Sequence, residues 1–427
     1  MSNKADVIVI GAGVSGLAAA YDLVKAGKKV IVLEGRNRIG GRQWTDRTWK
    51  NSPMDMGASW IHGIKKNPVT KLAEEFKMKM IVTSQENAVL YDENGKEISD
   101  EEFEELESDL ETVLKAVSKK RKNTEKDVSL GSMMEKYMEE EECSEEEKKR
   151  IRFAAYSAIE NDYAADCSDL SFLNWDEDEE FDGDEVIFPD GYDVISKNLA
   201  KGMDIRLENI VNKISYNDDG VTVKTDKDSY SAESAVITVP LGVLKKGRIQ
   251  FDPPLPKDKQ KSIDRLKMGI LDKLYLKFDE AFWPKEPEWI LYMGEEKGDW
   301  YEFLNIYHYT DKPILLLFNA GDDARKKEDI PDDKFVQSVM KVLRKLFDKE
   351  APDPDEILRT DWGKDEFSYG SYSHIPPGAG PEDYDTIAEP VNDVLFFAGE
   401  STSSEYPGTI HGALISGRRA AEEILDL

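Results

Sequence analysis

Val7-Ile8-Val9-Ile10-Gly11-Ala12-Gly13-Val14-Ser15-Gly16, followed by Lys29-Val30-Ile31-Val32-Leu33-Glu34, is the stretch whose reading decides the fold. Four consecutive apolar residues read as a buried strand, and the glycines after them read as a turn into a helix that runs to Lys25. Gly11 permits the tight turn, Gly13 lets backbone approach a pyrophosphate, and Gly16 lets helix and strand pack closely. The first N–H groups of such a helix have no intrahelical acceptor and are free for phosphate oxygens. Glu34 closes the second strand, where a carboxylate accepts hydrogen bonds from ribose hydroxyls. Strand, turn, helix, strand and acid together describe a dinucleotide site. The glycines alone would also fit a ligand-free turn, and the βαβ unit alone leaves a nicotinamide dehydrogenase open.

Composition narrows the surroundings. The 427 residues suffice for two or three domains with real cores. With 57 basic and 87 acidic side chains the net charge is −30, which argues against a nucleic-acid or anionic-membrane partner. Such a charge favours solubility and also concentrates cationic small molecules. Much of it sits in two runs, Glu139–Glu147 and Asp176–Glu185, which read as solvated surface. The apolar stretch near the start lacks a basic n-region and a cleavage site, so it reads as a core strand and not a signal peptide. No apolar run approaches the roughly 18–20 residues needed to span a bilayer. Cys143 and Cys167 make neither a disulfide framework nor a zinc spacing, so no metal is expected and a reducing cytoplasm is the default compartment.

Along the chain, residues 5–75 carry the βαβ unit and its continuation. Phe103, Leu106, Leu110, Val113, Leu114 and Val117 recur at helical spacing within a helical region, 100–160. Asn217-Asp218-Asp219-Gly220 is a turn between alternating segments, predicting a hairpin. Ser234–Pro240, Leu274–Phe278 and Ile314–Asn319 read as strands, and 332–349 reads as an amphipathic helix. The end returns to strand, glycine and helix: Val394–Glu400 with Gly399, then Gly408 to Leu425. A second helix N-terminus beside a second glycine suggests that both ends of the chain meet over one cofactor. A dinucleotide with a large ring system, such as FAD, needs that extra wall.

Five motifs in register carry a family resemblance. Gly35-Arg36-Asn37-Arg38-Ile39-Gly40-Gly41-Arg42 resembles the second flavin motif of glutathione-reductase-like FAD oxidoreductases. Met56-Gly57-Ala58-Ser59-Trp60-Ile61-His62-Gly63, with Asn67-Pro68, resembles the flavin-containing amine oxidases, closest to polyamine oxidases. Val236–Leu244 resembles their strand out of the FAD domain. Met268-Gly269-Ile270-Leu271-Asp272-Lys273 is similar to the segment bearing their flavin lysine, and Leu395–Gly417 to their closing FAD motif.

The resemblance implies an α/β fold: a Rossmann-like FAD-binding domain built from discontinuous segments, 1–75, 200–268 and 385–427. An inserted α+β substrate domain with a mixed sheet, 76–199 and 269–384, completes it. By the same resemblance, Gly11, Gly13 and Gly16 hold the pyrophosphate, Glu34 the ribose, and Arg42 neutralises phosphate charge. Gly57, Ala58, Ser59 and Trp60 run past the flavin ring, and Val211 presents its backbone to adenine. Gly399 and Glu400 approach the ribityl–pyrophosphate region, and Thr409 and Ile410 the ring. Arg36 and Trp362 join this cofactor set.

The implied chemistry is removal of a hydride from the carbon beside an amine nitrogen, giving an imine that water hydrolyses, with dioxygen as electron acceptor and hydrogen peroxide as product. In the family the matching lysine, here Lys273, holds a water near the flavin; a surface strand lysine is the plain alternative. Tyr372 matches an aromatic flanking the substrate amine, although Tyr372 and Trp362 also fit as core aromatics. Thr409 stands where a second flanking aromatic is found in monoamine oxidases. Ser371 stands where those enzymes link flavin to cysteine, so FAD is expected to be noncovalent. His62 either lines the substrate pocket or is a buried, satisfied side chain. Ser401 replaces a histidine common in the closing motif.

The expectation is thus an FAD-dependent amine oxidase with a polyamine-type substrate. A histone demethylase is disfavoured because the chain has no long coiled-coil insertion and no extra N-terminal module, and an amino-acid oxidase would want an arginine clamp for a carboxylate. A non-catalytic flavoprotein is the rival from another class. The amine itself and the oligomeric state are left open.

Overall fold

The computed structural model describes residues 3–427. Its first sheet has five parallel strands in the order Leu395–Phe397, Ser234–Ile237, Val7–Ile10, Val30–Leu33, Asp204–Arg206. Strands covered on both faces read as uninterrupted apolar runs, and the central three here are buried at every position. The helix Val14–Lys25 buries its alanine-rich face and ends at Gly27, whose φ of +89° suits a helix-terminating left-handed residue. It packs against the last helix, Ile410–Leu425. A Cβ on Gly417 would lie 2.2 Å from the Ser15 carbonyl oxygen, so only glycine allows that approach. Both chain ends therefore meet on one face of this sheet.

The second sheet is mixed and has six strands, ordered Glu356–Arg359, Leu271–Lys277, Ile314–Ala320, Tyr301–Asn305, Trp289–Tyr292, Ala88–Tyr91. All pairings are antiparallel except the last. One face packs on the amphipathic helix Asp332–Leu346, through Phe335, Val339, Met340 and Leu343. The predicted hairpin is present, with Asn217 paired to Gly220.

The helical region begins with Asp100–Ser118, opened by a Ser99/Glu102 capping box, and Leu106, Leu110, Val113 and Val117 are buried as their spacing requires. It ends less regularly. The chain widens to a π-helix over Tyr156–Glu160 and stops at Ala164, with φ +52°. That bulge turns Asn161 and Asp162 toward a large cavity.

The run Asp176–Glu185 is not simply solvated surface. Phe181 stacks on Tyr406 with centroids 4.8 Å apart and meets His411 edge-on. Glu185–Ile187 pairs with Trp60–Ile61. These apolar anchors draw Asp178, Glu179, Glu180 and Glu185 onto the cavity wall. Charge alone carries no such information, so the sequence reading missed it.

Candidate active site

A cavity of about 920 Å3 runs from the glycine turn to the second sheet. Fifteen of the sixteen cofactor residues named from the sequence border it, as do Lys273, Tyr372 and His62; Gly16 does not.

At the glycine end the walls fit a dinucleotide. A Cβ on Gly16 would lie 2.1 Å from the Gly11 carbonyl oxygen, while one on Gly13 would meet nothing within 4 Å. Gly16 thus serves packing and Gly13 keeps a face open. Ser15 Oγ at the helix N-terminus and Gln43 Nε2 are buried without a partner among the described residues. Both are polar groups of the kind a pyrophosphate would satisfy. Glu34 is oriented by two backbone donors, Ala12 N–H at 2.7 Å and Arg36 N–H at 2.8 Å. Arg36 is held by a bidentate pair with Asp365 and lies over the Phe367 ring. Val211 starts the strand Val211–Asn217 on the same wall.

Arg42 and Glu400 join the pieces in the middle. Arg42 donates to Glu400 Oε1 at 2.8 Å and to the Ser371 carbonyl at 2.7 Å. Glu400 Oε2 accepts from Ser373 Oγ at 2.5 Å and from Gly408 N–H at 3.1 Å. Both carboxylate oxygens therefore already have protein donors, and Glu400 fastens segments around residues 42, 372 and 408 to one another. Gly399, just before it, has φ +135° and donates to Ser416 Oγ. Thr409 caps the last helix through Gly412 N–H, leaving the Ile410 end of the helix facing the cavity. Ser401 is buried in the turn after Glu400 and does not border the cavity.

Around the second sheet the arrangement is tighter than the sequence suggested. Lys273 is buried, and its ammonium donates to Asp55 O at 2.9 Å, Gly57 O at 2.6 Å and Ser59 Oγ at 2.6 Å. All three protons are thus engaged by the segment that carries Gly57, Ala58, Ser59 and Trp60. Burial pushes the lysine below its usual range, and the nearby Asp55 carboxylate opposes that shift. Trp362 donates from Nε1 to Met56 O at 3.1 Å, holding the same segment from the other side. A Cβ on Gly57 would lie 1.7 Å from the Arg42 carbonyl oxygen, so the segment also abuts Arg42.

Trp60 stacks between His62 and Trp289, with centroids 6.4 and 6.2 Å away, and Phe318 lies 6.0 Å off. Tyr372 packs by Gly408 and donates from its hydroxyl to the backbone carbonyls of Asn161 or Asp162, the latter at 2.7 Å. His62 is exposed, with its Nδ1 3.2 Å from Glu185 Oε1. Desolvation works against its charged form, but Glu185, with Asp162 and Glu180 beyond, outweighs it and holds the imidazole above its ordinary value. It is therefore not the buried, satisfied side chain of the plain reading.

Several residues here were not singled out from the sequence. Glu302 borders the cavity; its Oε2 accepts from Asn161 Nδ2 at 2.6 Å and Ser157 Oγ at 3.3 Å, and no protein donor among the described residues reaches Oε1. Burial raises Glu302 to about 7. Asp162 rises to about 6, chiefly by burial, with His62 opposing. Trp289 and Phe318 complete the aromatic wall.

The flavin containing amine oxidoreductase family model matches residues 14–425, and the chain belongs to that family. It is 36% identical over 436 residues to polyamine oxidase 2 of Arabidopsis thaliana, covering 98% of this chain and 87% of that one. It is 37% identical over 431 residues to polyamine oxidase 4 of Oryza sativa subsp. japonica, covering 98% and 88%. It is 35% identical over 442 residues to lysine-specific histone demethylase 1 homolog 1 of the same rice, covering 98% of this chain but 52% of that protein. The chain spans about half the length of the histone demethylases it matches. Putrescine oxidase bound to putrescine shares the fold, with a TM-score of 0.82, 21% identity and 99% of each chain covered. The cofactor is FAD, noncovalently held: Ser371 binds the Leu271 backbone, and neither free cysteine borders the cavity.

Proposed function

We propose that the chain is an FAD-dependent oxidase of polyamine-type substrates. The observation that carries this reading is the sign of the cavity wall beyond the flavin-side segments. Glu302, Asp162, Asp178, Glu179, Glu180 and Glu185 border it. The arginines that border the cavity, Arg36, Arg42 and Arg248, lie elsewhere, paired with Asp365, Glu400 and Glu366. Among the described residues Lys273 is the one lysine that borders the cavity, and its protons are already engaged. Such a wall attracts a polycation and offers no clamp for a substrate carboxylate, which argues against an amino-acid oxidase.

Bound FAD supplies the hydride acceptor and passes the electrons to dioxygen. The balanced reaction takes amine, dioxygen and water to a carbonyl compound, a shorter amine and hydrogen peroxide. The residues supply the rest. Trp60, Trp289, Phe318 and Tyr372 form an apolar wall that orients the carbon chain and excludes bulk water. An ammonium must lose its proton before its neighbouring C–H bond can give up hydride. Glu302 Oε1 is an acceptor for an ammonium N–H, and a carboxyl poised near neutrality exchanges that proton readily. Lys273 fixes the segment 55–59; to hold a water as well, it must release one acceptor, of which the Ser59 hydroxyl is the most mobile.

The histone demethylase relatives make a basic peptide the second reading. Incubating the holoprotein with di-, tri- and tetramines, monoamines, amino acids and methylated lysine peptides under argon tests both. The proposal expects polyamines to bleach the flavin fastest. Bleaching by a methyl-lysine peptide alone would replace it.

A further inference from the structure

The face of the second sheet that carries Lys273 extends well past the aromatic wall. Lys273 pairs with Phe318, Phe318 with Glu302, Glu302 with Leu291, and Leu291 with Leu90. Four inter-strand steps of about 4.8 Å separate the Lys273 strand from the Ala88–Tyr91 strand, so the row is roughly 19 Å long. Lys273, Phe318, Glu302 and Leu291 all border the cavity, and so does Ala88 at the far edge. Phe103 and Glu107 of the helix Asp100–Ser118, and Gln85, also border the cavity.

This arm has an ordered composition. Its floor is apolar except for Glu302 part-way along, and its outer end is acidic. Glu107 is exposed there and carries no ion pair or hydrogen bond to a side chain among the described residues. Burial raises its carboxyl, and the like charges of Glu104 and Glu86 raise it further. An acid repelled by its neighbours gains from a mobile cation, whereas none of its protein neighbours supplies one.

Resting on the amine-oxidase reading above, we propose that Glu107 is an outer ammonium subsite and that the arm selects linear polyamines by length. Glu302 takes an inner nitrogen and Glu107 takes the far one, with the methylene chain between them lying along Leu291 and Phe103. A short diamine engages Glu302 alone; only a tri- or tetramine spans both acids. Glu107 is a specificity-determining residue and takes no part in the chemical step.

The test measures kcat/KM for a linear tetramine and for a four-carbon diamine, by anaerobic flavin bleaching and by peroxide release, in wild type, Glu107→Gln and Glu107→Asp. The expected result is a loss of about fivefold for the tetramine in Glu107→Gln, the worth of one exposed ion pair, with the diamine value unchanged. Glu107→Asp should recover part of it, and the loss should vanish in high salt. An exposed helix position tolerates both changes, so flavin content and melting temperature stay at wild-type values. Equal losses for both substrates, or no loss for the tetramine, would overturn the subsite. If no amine of any length bleaches the wild-type flavin, the amine-oxidase reading falls first and the subsite with it.

Discussion

Lys273 and Glu302 stand in one cross-strand row, each paired with Phe318 on the strand between them. A buried cation that holds the flavin-side segment and a buried acid with a free oxygen thus share one face, two strands apart. Side chains in register across a sheet project to the same side, so neither can move without disturbing the aromatic wall between them.

Glu302→Gln should cut kcat/KM for a diamine by about a hundredfold, the cost of removing one partner of a desolvated charge pair. Steady-state kinetics against pH checks it. The limb that Glu302 contributes near its raised value of about 7 should disappear from the profile of the variant.

The same variant should change stability with a defined sign. A carboxyl raised on folding favours the native state fully below its unfolded value, and that contribution is lost as pH rises through the folded value. Glu302→Gln should therefore melt higher than wild type at pH 8, with the difference shrinking as pH falls through about 7 and gone below about pH 4.3. Thermal melts at several pH values read this directly. A variant that melts lower at pH 8 would show that the Asn161 and Ser157 hydrogen bonds outweigh the burial of charge.

Lys273→Met should slow turnover while flavin remains bound, and should also lower the melting temperature. The Gly57 carbonyl would lose its charged donor and keep only the Ser59 hydroxyl at 3.3 Å, whereas Asp55 O keeps Tyr275 OH at 2.7 Å. Losing a hydrogen bond from a charged donor costs about 1.5–3 kcal/mol. Stopped-flow measurement of both half-reactions with a flavin-content assay checks the pair of claims, and unchanged rates in both would remove Lys273 from the mechanism.

Gly13→Ala and Gly16→Ala should separate folding from cofactor binding. The Gly13 Cβ meets open space, so that apoprotein should melt normally yet bind FAD poorly. Gly16→Ala forces a Cβ to 2.1 Å from the Gly11 carbonyl and should lower both stability and flavin content. Flavin titration of the two apoproteins distinguishes these outcomes.

Acid precipitation should release all flavin into the supernatant, since Ser371 offers no thiol. Colour retained by the washed pellet would contradict this.

The cofactor half of the site was legible because its requirements are local. Gly11, Gly13, Gly16 and Glu34 act through backbone conformation and a short spacing, and the Arg42 and Lys273 segments carried recognisable neighbours. The substrate half was not. Glu302 is one of many acids, and only the strand register aims it beside Phe318. Asn161 and Asp162 face inward because a π-bulge turns them there, a feature without a local signature. The acids of 176–185 read as solvated because no periodicity marks Phe181 as an anchor on Tyr406. His62, by contrast, was named, although its openness to the cavity and its pairing with Glu185 required the fold.

The most direct test of the account is anaerobic reduction of the holoprotein by a panel of amines at equal concentration. Linear polyamines should bleach the flavin fastest, monoamines slowly, and amino acids not at all, because the wall bears Glu302, Asp162 and Glu185 and, among the described residues, no unpaired arginine. Bleaching by amino acids in preference to polyamines, or by no amine, would contradict it.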